Sequence, residues 1–208
     1  MAVSDGAGSA SHSDSGAQYF CSTFVERCRE TDVEPLRTRG GMLELIGSIR
    51  EGVVNQSVLL GVAARELACT ALVSVVGPEW AVFGQIGDGA IVLNTDSNLS
   101  VVFWPGDSEY VNCTDFLTDE SFPTAFRHEF VSGAIRELAM TTDGLQRLAL
   151  DYAFNLPHAP FFKPLFRALS ESGSTLELEV PFREFLDSAH INERTDDDKT
   201  LVLAIRKG

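Results

Sequence analysis

The sequence is poor in basic residues. Its 16 lysines and arginines stand against 30 aspartates and glutamates, which gives a formal net charge of −14 at pH 7. Because the phosphate backbone of nucleic acids attracts cationic side chains, this balance argues against a general nucleic-acid-binding protein. The excess of carboxylates is compatible with a site for divalent cations, although acidic surfaces also promote solubility.

Cysteine is scarce as well. The four cysteines, Cys21, Cys28, Cys69 and Cys113, form no CxxC pair and no spacing typical of a disulfide framework. Cys21 and Cys28 are seven residues apart, which places them on one face of a helix, where small apolar residues commonly face a core. We therefore expect reduced thiols in an intracellular protein.

Long hydrophobic runs are absent. No apolar stretch approaches the roughly 20 residues of a membrane span, and the first residues lack the pattern of a signal peptide. The sequence therefore predicts a cytoplasmic protein without a membrane partner. Its 208 residues, 44% of them hydrophobic, suit one domain over residues 1–208. Nothing in the sequence indicates the oligomeric state.

Hydrophobic periodicity predicts two amphipathic helices, over residues 16–30 and 41–56. Short strand-like runs separated by Gly, Pro and Asn turns follow at 67–76, 80–86, 90–93, 101–104, 135–141 and 201–205. The remaining segments are a polar surface excursion at 105–129, an aromatic-rich helical insert at 145–170 and a short helix at 181–189. This order predicts helices packed on antiparallel strands, an α+β fold.

Four aspartate motifs share one local setting, beside glycine or in an acidic run at the end of a predicted strand. They are Asp5-Gly6, Asp88-Gly89, Asp143-Gly144 and the run 196–198. Asp-Gly is a common turn dipeptide, so each motif alone has an ordinary interpretation as a turn. Several such aspartates at one edge of a sheet would instead form an all-oxygen site, which Mg²⁺ and Mn²⁺ prefer.

The set and order of these motifs resemble the metal-dependent protein phosphatase family, the type 2C serine/threonine phosphatases. That family has an apolar strand running into Asp-Gly-x-Gly, later Gly-Asp-Ser-Arg and Ser-Asp-Gly-Leu, and finally Asp-Asn-x-Thr before a closing strand. The matching segments here are Asp5-Gly-Ala-Gly8, Gly87-Asp-Gly-Ala90, Thr142-Asp-Gly-Leu145 and Asp197-Asp-Lys-Thr200. The resemblance spans the chain and is closer to the divergent bacterial branch than to the eukaryotic enzymes.

The resemblance implies an αββα sandwich, in which two mainly antiparallel sheets are flanked by helices. It also implies a binuclear Mg²⁺ or Mn²⁺ centre, where Asp5 bridges both ions and Gly6 contributes its carbonyl oxygen. Asp143 and Asp197 would complete one ion's shell, and Asp88 corresponds to an aspartate that joins the Asp143 equivalent around a third ion in several members. A metal-activated water would then hydrolyse phosphoserine or phosphothreonine in a phosphorylated protein substrate.

Three departures from the family pattern bear on activity. Members have a further strand before Asp-Gly-x-Gly, with another acidic ligand and often a phosphate-binding arginine. This sequence starts four residues before Asp5, so we expect an N-terminally truncated fold that lacks that first strand. Ala7 occupies the place of the eukaryotic general-acid histidine, for which His12 is a substitute candidate. Gly89-Ala90 replaces Ser-Arg and Asp198 replaces Asn, which removes no ligand.

Alternatives remain open at this point. Besides an active phosphatase, the chain could be a catalytically impaired regulatory or phosphoprotein-binding module of the same fold, or an unrelated acidic domain. The aromatic stretch 154–166 could cover the site or bind substrate, but packing in the core is favoured. His128, His158 and His190 lack metal-binding spacing, which favours structural or surface roles.

Overall fold

The computed structural model describes residues 1–95, 98–105 and 114–207. The chain forms two compact units: the first comprises Met1–Asp88 and Pro105–Ala134, and the second comprises Gly89–Trp104 and Ile135–Gly208. Each unit contains a four-stranded antiparallel sheet and its own helices, which confirms the predicted α+β fold class. The single domain over residues 1–208 stays a prediction.

The described residues contain ten strands and seven α-helices. The strands are β1 (Ala2–Val3), β2 (Ala71–Val76), β3 (Trp80–Ile86), β4 (Ala90–Asn94), β5 (Leu99–Val101), β6 (Arg127–Ser132), β7 (Glu137–Thr141), β8 (Leu150–Asp151), β9 (Leu156–Pro157) and β10 (Leu201–Ile205). The helices are α1 (Ser13–Glu30), α2 (Arg39–Leu60), α3 (Phe122–Ala125), α4 (Gln146–Ala149), α5 (Ala159–Glu171), α6 (Glu179–Leu186) and α7 (Ala189–Asn192).

The first unit packs the long helices α1 and α2 on a sheet with strand order β1-β2-β3-β6. Phe20 and Phe24 of α1 are fully buried, and Val73 and Val82 are among the sheet residues of the same core. The α2 residues of this core are Met42, Ile46, Ile49 and Val53. Their helical spacing explains why periodicity alone predicts α2.

The ends of α2 lie outside the predicted range 41–56 for local reasons. Thr38 Oγ1 accepts a hydrogen bond from the Gly41 N–H at 3.1 Å, so the helix is capped two residues earlier than expected. At the other end Gly61 adopts a left-handed conformation with φ of 70°, which stops the helix.

The second unit has strand order β10-β7-β4-β5, with β8 and β9 forming a separate two-stranded hairpin. Helix α5 contributes three buried phenylalanines to its core, which also contains sheet residues such as Val92 and Ala139. The phenylalanines are Phe161, Phe162 and Phe166. Core packing is thus confirmed for most of the aromatic stretch, whereas Phe154 is 75% exposed.

Three sequence predictions were wrong, and the first is the helical insert at 145–170, which also contains the hairpin formed by β8 and β9. Strand β6 begins inside the predicted surface excursion 105–129, because a mostly polar edge strand has no apolar alternation to reveal it. The strand expected at 101–104 is β5, two residues earlier. Residues 106–113 of the excursion lie outside the described residues. No helix of the described residues is long and apolar enough to span a membrane.

Candidate functional site

Asp5 follows β1 and lies at the end of the first sheet where β2 begins. Its backbone N–H donates to Thr70 Oγ1 at 2.9 Å, and its carbonyl oxygen accepts from the Thr70 N–H at 2.8 Å. Ser4 Oγ donates to the Thr70 carbonyl oxygen. Because Thr70 is only 2% exposed, little water competes for these bonds. The Asp5 backbone is therefore held on both sides by one threonine.

Gly6 is packed so closely that no side chain fits. It forms an antiparallel bridge with Cys69, and the next residue, Ala7, donates its N–H to the Ala68 carbonyl oxygen at 2.9 Å. A Cβ at Gly6 would lie 2.7 Å from Ser13 Oγ, at the start of α1. The sequence therefore needs glycine here for space.

Asp88 follows the end of β3 and lies at the same end of the first sheet as Asp5. Its Oδ2 accepts a hydrogen bond from Thr114 Oγ1 at 2.9 Å. Gly87 has a φ of 83°, and a Cβ there would lie 2.7 Å from Thr70 Cγ2. Thr70 therefore contacts both loops that carry predicted ligands in the first unit.

In the second unit, Asp143 follows β7 and Asp197 precedes β10, at one end of the second sheet. The Thr142 N–H donates to the Thr200 carbonyl oxygen at 3.2 Å, and Thr142 Oγ1 accepts from the Thr200 N–H at 3.1 Å. This reciprocal pair joins the loop after β7 to the loop before β10.

Gly144 brings these two loops into contact. A Cβ at this position would collide with the Asp198 carbonyl oxygen and would lie 3.4 Å from Asp197 Cβ. Asp197 is exposed, and its Oδ1 accepts from the Asp198 N–H at 2.9 Å, while Asp143 is half-buried. The chain segments that carry both predicted ligands of this unit are therefore adjacent.

The predicted metal ligands are divided between the units. Asp5, Gly6 and Asp88 belong to the first, and Asp143 and Asp197 to the second. Within neither unit do the described residues contain three or more clustered His, Cys, Asp or Glu side chains suited to a metal ion. The donor chemistry fits Mg²⁺ or Mn²⁺, because carboxylates and a backbone carbonyl supply only oxygen. The ligand roles of these residues stay predictions.

His12, the candidate proton donor, is part of a short hydrogen-bonded chain at the start of α1. Ser11 Oγ donates to Glu66 Oε2 at 2.8 Å and lies 2.9 Å from His12 Nδ1. Because the Ser11 hydroxyl donates its proton to Glu66, its oxygen can only accept from the His12 ring. We therefore assign the ring proton of neutral His12 to Nδ1, which leaves Nε2 for proton exchange. Hydrogen bonds from the Ser11 backbone and hydroxyl lower the pKa of Glu66. The catalytic role of His12 stays a prediction.

The described cysteines are not placed as nucleophiles. Burial raises the pKa of Cys69, beside the Asp5 loop, to about 12, and that of Cys21 to about 11. Neither supplies appreciable thiolate at neutral pH. This agrees with chemistry that needs no cysteine nucleophile.

Thr70 and Thr142 were missed as functional residues by sequence reasoning. Thr70 lies within the run 67–76, which the sequence predicts as a strand. In a strand a threonine is an ordinary β-branched residue, so its hydroxyl bonds do not show in the pattern. Their position is the signal that could identify them, because each threonine lies at the end of a sheet. Thr70 is close in space to the Asp5-Gly6 loop, and Thr142 directly precedes Asp143-Gly144 in the sequence.

Comparison with known proteins shows which family this chain belongs to. A model of the family "Protein phosphatase 2C" matches residues 1–186. Serine/threonine-protein phosphatase 3 of Escherichia coli (strain K12) is 34% identical over 213 residues, covering 98% of this chain and 82% of that protein.

Solved structures show the same fold. A bacterial serine phosphatase, 13% identical, has a TM-score of 0.66 over 100% of this chain and 85% of its own. Serine/threonine phosphatase Stp1 from Staphylococcus aureus, 12% identical, has a TM-score of 0.67 over 100% and 83%. The catalytic domain of the phosphatase PstP, solved in complex with two manganese ions and 12% identical, has a TM-score of 0.56 over 74% and 70%.

The family model covers most of the chain, and the curated relative matches nearly all of it. The range of the family model includes Asp5, Asp88 and Asp143, and both matches agree with the predicted family and enzyme class, a protein serine/threonine phosphatase. The chain therefore belongs to the protein phosphatase 2C family.

Proposed function

We propose that this protein hydrolyses phosphoserine and phosphothreonine monoesters in phosphorylated proteins, in a reaction that requires Mg²⁺ or Mn²⁺. The observation that carries the proposal is the arrangement of the aspartate motifs at one end of each sheet, on loops held by Thr70 or Thr142. The family membership and the two manganese ions of the PstP catalytic domain support it.

Each residue has a role in this proposal. Asp5, Asp143, Asp197 and the Gly6 carbonyl oxygen would hold two ions, and Asp88 would join Asp143 around a third. Bound divalent ions stabilise negative charge on phosphoryl oxygens and lower the pKa of water. His12, when both ring nitrogens carry protons, would donate the Nε2 proton to the departing serine or threonine oxygen and keep its Nδ1 proton toward Ser11.

The proposal includes the cytoplasmic location expected from the sequence. Cys21, Cys28 and Cys69 are free thiols, which is the usual state in a reducing compartment. We further propose that residues 1–208 form one functional domain.

The test uses the full chain, first stripped of metal with EDTA and then supplied with Mn²⁺ or Mg²⁺. We expect turnover of p-nitrophenyl phosphate and of a phosphothreonine peptide only after metal is added. The Asp143→Asn variant should lose on the order of 10³-fold in kcat/KM, because an ion with an incomplete shell stabilises less transition-state charge. Manganese binding followed by electron paramagnetic resonance should weaken in the same variant.

Asp196→Asn is the matched control, since Asp196 is exposed, lies next to Asp197 and is not a predicted ligand. It should retain activity within about threefold. Full activity of the EDTA-treated protein, or of the Asp143→Asn variant, would contradict the proposed metal centre. Tight phosphopeptide binding without turnover at any metal concentration would instead favour the impaired, phosphoprotein-binding module.

A further inference from the structure

The second unit contains a cavity of about 620 Å³ beside the β8–β9 hairpin. It lies among the α4–β8 segment, the first half of α5, and helices α6 and α7. None of the predicted metal ligands lines it. Its volume is within the range of roughly 300–1,000 Å³ that is typical of small-molecule sites.

The floor of this cavity is apolar. Leu150, Phe161 and Ile191 line it and are buried. Phe161 packs edge-to-face on Phe162, with ring centroids 5.0 Å apart, and lies 6.2 Å from the Phe185 ring. These aromatic contacts hold the floor in place, so the cavity offers a preformed surface for an apolar or aromatic group.

The rim is basic, in contrast to the chain as a whole. Arg147, Arg194, His158 and His190 line it, and among the described residues that line the cavity Asp151 is the single acidic one. Asp151 Oδ1 accepts hydrogen bonds from the backbone N–H groups of the hairpin turn, at 3.1 and 3.3 Å. The Asp151 carboxylate therefore already has hydrogen-bond partners. Two arginines line the cavity against this one carboxylate, although the protein as a whole is strongly acidic.

The rim also presents hydrogen-bond donors. In the part of the chain that the structure describes, no hydrogen bond or ion pair engages the Arg147 guanidinium. Arg194 Nη1 donates to the His190 carbonyl oxygen at 2.7 Å and lies 3.1 Å from His190 Nδ1. Since a guanidinium only donates, Nδ1 accepts, and the neutral ring carries its proton on Nε2.

We propose that this cavity binds a small organic anion with an apolar body. Its sulfonate, phosphate or carboxylate group contacts Arg147 and Arg194, and its body packs on the floor around Phe161. A guanidinium offers paired donors that match the oxygens of such groups. An inorganic anion leaves the floor uncovered, and a neutral molecule leaves the Arg147 guanidinium without an anionic partner. The proposal does not depend on the proposed phosphatase activity, because its test measures binding alone.

The test is isothermal titration calorimetry of the full chain with three probes: naphthalene-2-sulfonate, its neutral analogue 2-(hydroxymethyl)naphthalene, and inorganic sulfate. We expect the sulfonate to bind at one site with a Kd below roughly 1 mM, as suits a ligand of this size. The neutral analogue and sulfate should each bind at least about tenfold more weakly.

The double variant Arg147→Gln/Arg194→Gln should weaken sulfonate binding at least about tenfold, and Arg147→Gln alone by a smaller factor. Arg167→Gln is the matched control, because Arg167 is an exposed arginine of α5 that pairs with Glu171 and does not line the cavity. Circular dichroism melts verify that each variant is folded. Equal binding of the neutral analogue or of sulfate, or an equal loss with Arg167→Gln, would overturn the proposal.

Discussion

The two units cover similar sheets in different ways. The first uses α1 and α2, of 18 and 22 residues, whereas the longest helix of the second is α5 with 13 residues, accompanied by short helices and a hairpin. A long helix repeats its buried positions over several turns, so its hydrophobic period is readable. Short helices are stabilised mainly by tertiary packing, which explains why the second unit was harder to predict.

The ligand-bearing loops also differ between the units. In the first, Thr70 Oγ1 accepts from the N–H of Asp5, which is half-buried. In the second, Thr142 Oγ1 accepts from the N–H of Thr200, which is exposed. A buried threonine hydroxyl orders the loops in both units, but the residue that donates to it is half-buried in the first unit and exposed in the second. Four experiments exploit this comparison.

The largest effect should come from the cores. Phe24→Ala in the first unit and Phe162→Ala in the second should each destabilise by about 3–5 kcal/mol, because both side chains are fully buried. The tryptophans allow each unit to be followed in urea, since Trp80 lies in the first and Trp104 in the second.

In a Trp104→Phe background the fluorescence of Trp80 reports on the first unit, and in a Trp80→Phe background that of Trp104 reports on the second. Coincident unfolding curves from the two backgrounds after either core mutation would agree with a single cooperative domain over residues 1–208. Two separated transitions would refute that prediction. Val58→Ala, at a side chain that is 72% exposed, is the control and should change stability by less than about 0.5 kcal/mol.

Gly144→Ala tests the contact between the loops of the second unit. The new methyl group must displace the Asp198 backbone, so we expect a destabilisation of about 1–3 kcal/mol and weaker manganese binding. Gly6→Ala, against Ser13, is the corresponding change in the first unit. Gly8→Ala meets no atom within 4 Å and should be nearly neutral in a thermal melt. A neutral Gly144→Ala would show that the two loops do not pack as described.

The threonine bonds should differ in strength. Thr70→Val leaves the N–H of the half-buried Asp5 without its acceptor, which should cost about 1–3 kcal/mol. Thr142→Val should cost less, about 0.5–1 kcal/mol, because its donor Thr200 is an exposed residue whereas Asp5 is half-buried. The serine variants retain the hydroxyl and serve as controls in urea denaturation. Equal losses for both valine variants would contradict the proposed difference in burial.

The last experiment measures thiol reactivity rather than stability, and it reports on the first unit alone because the sequence of the second contains no cysteine. In a Cys28→Ser/Cys113→Ser background, alkylation of Cys21 at pH 8 should be roughly 100-fold slower than for an unburied thiol. Burial raises its pKa to about 11, so the rate should increase about tenfold per pH unit up to that value. Urea should restore fast alkylation. A native rate equal to the unfolded rate would show that Cys21 is not protected.

The elements predicted well were those whose signal is local. The pattern at Trp80–Ile86 matches β3 at both ends, and α1 differs from its prediction only by an earlier start, at Ser13. Strand β6 was missed because its pairing with β3, not its own composition, makes it a strand. For the site, the Asp-Gly motifs indicate Asp5 and Asp143 as candidate metal ligands. The hydrogen bonds of Thr70 and the basic cavity around Arg147 could not be predicted from the sequence.

The sequence by itself determined the family, the fold class and the order of the aspartate motifs, because these follow from residue types at short spacings. Only the tertiary structure decided which residues hold the Asp5 loop, which backbone excludes a side chain at Gly144, and which basic residues meet at one cavity. Those contacts join residues as far apart in sequence as Asp5 and Thr70, and hydrophobic periodicity carries no information about such pairs.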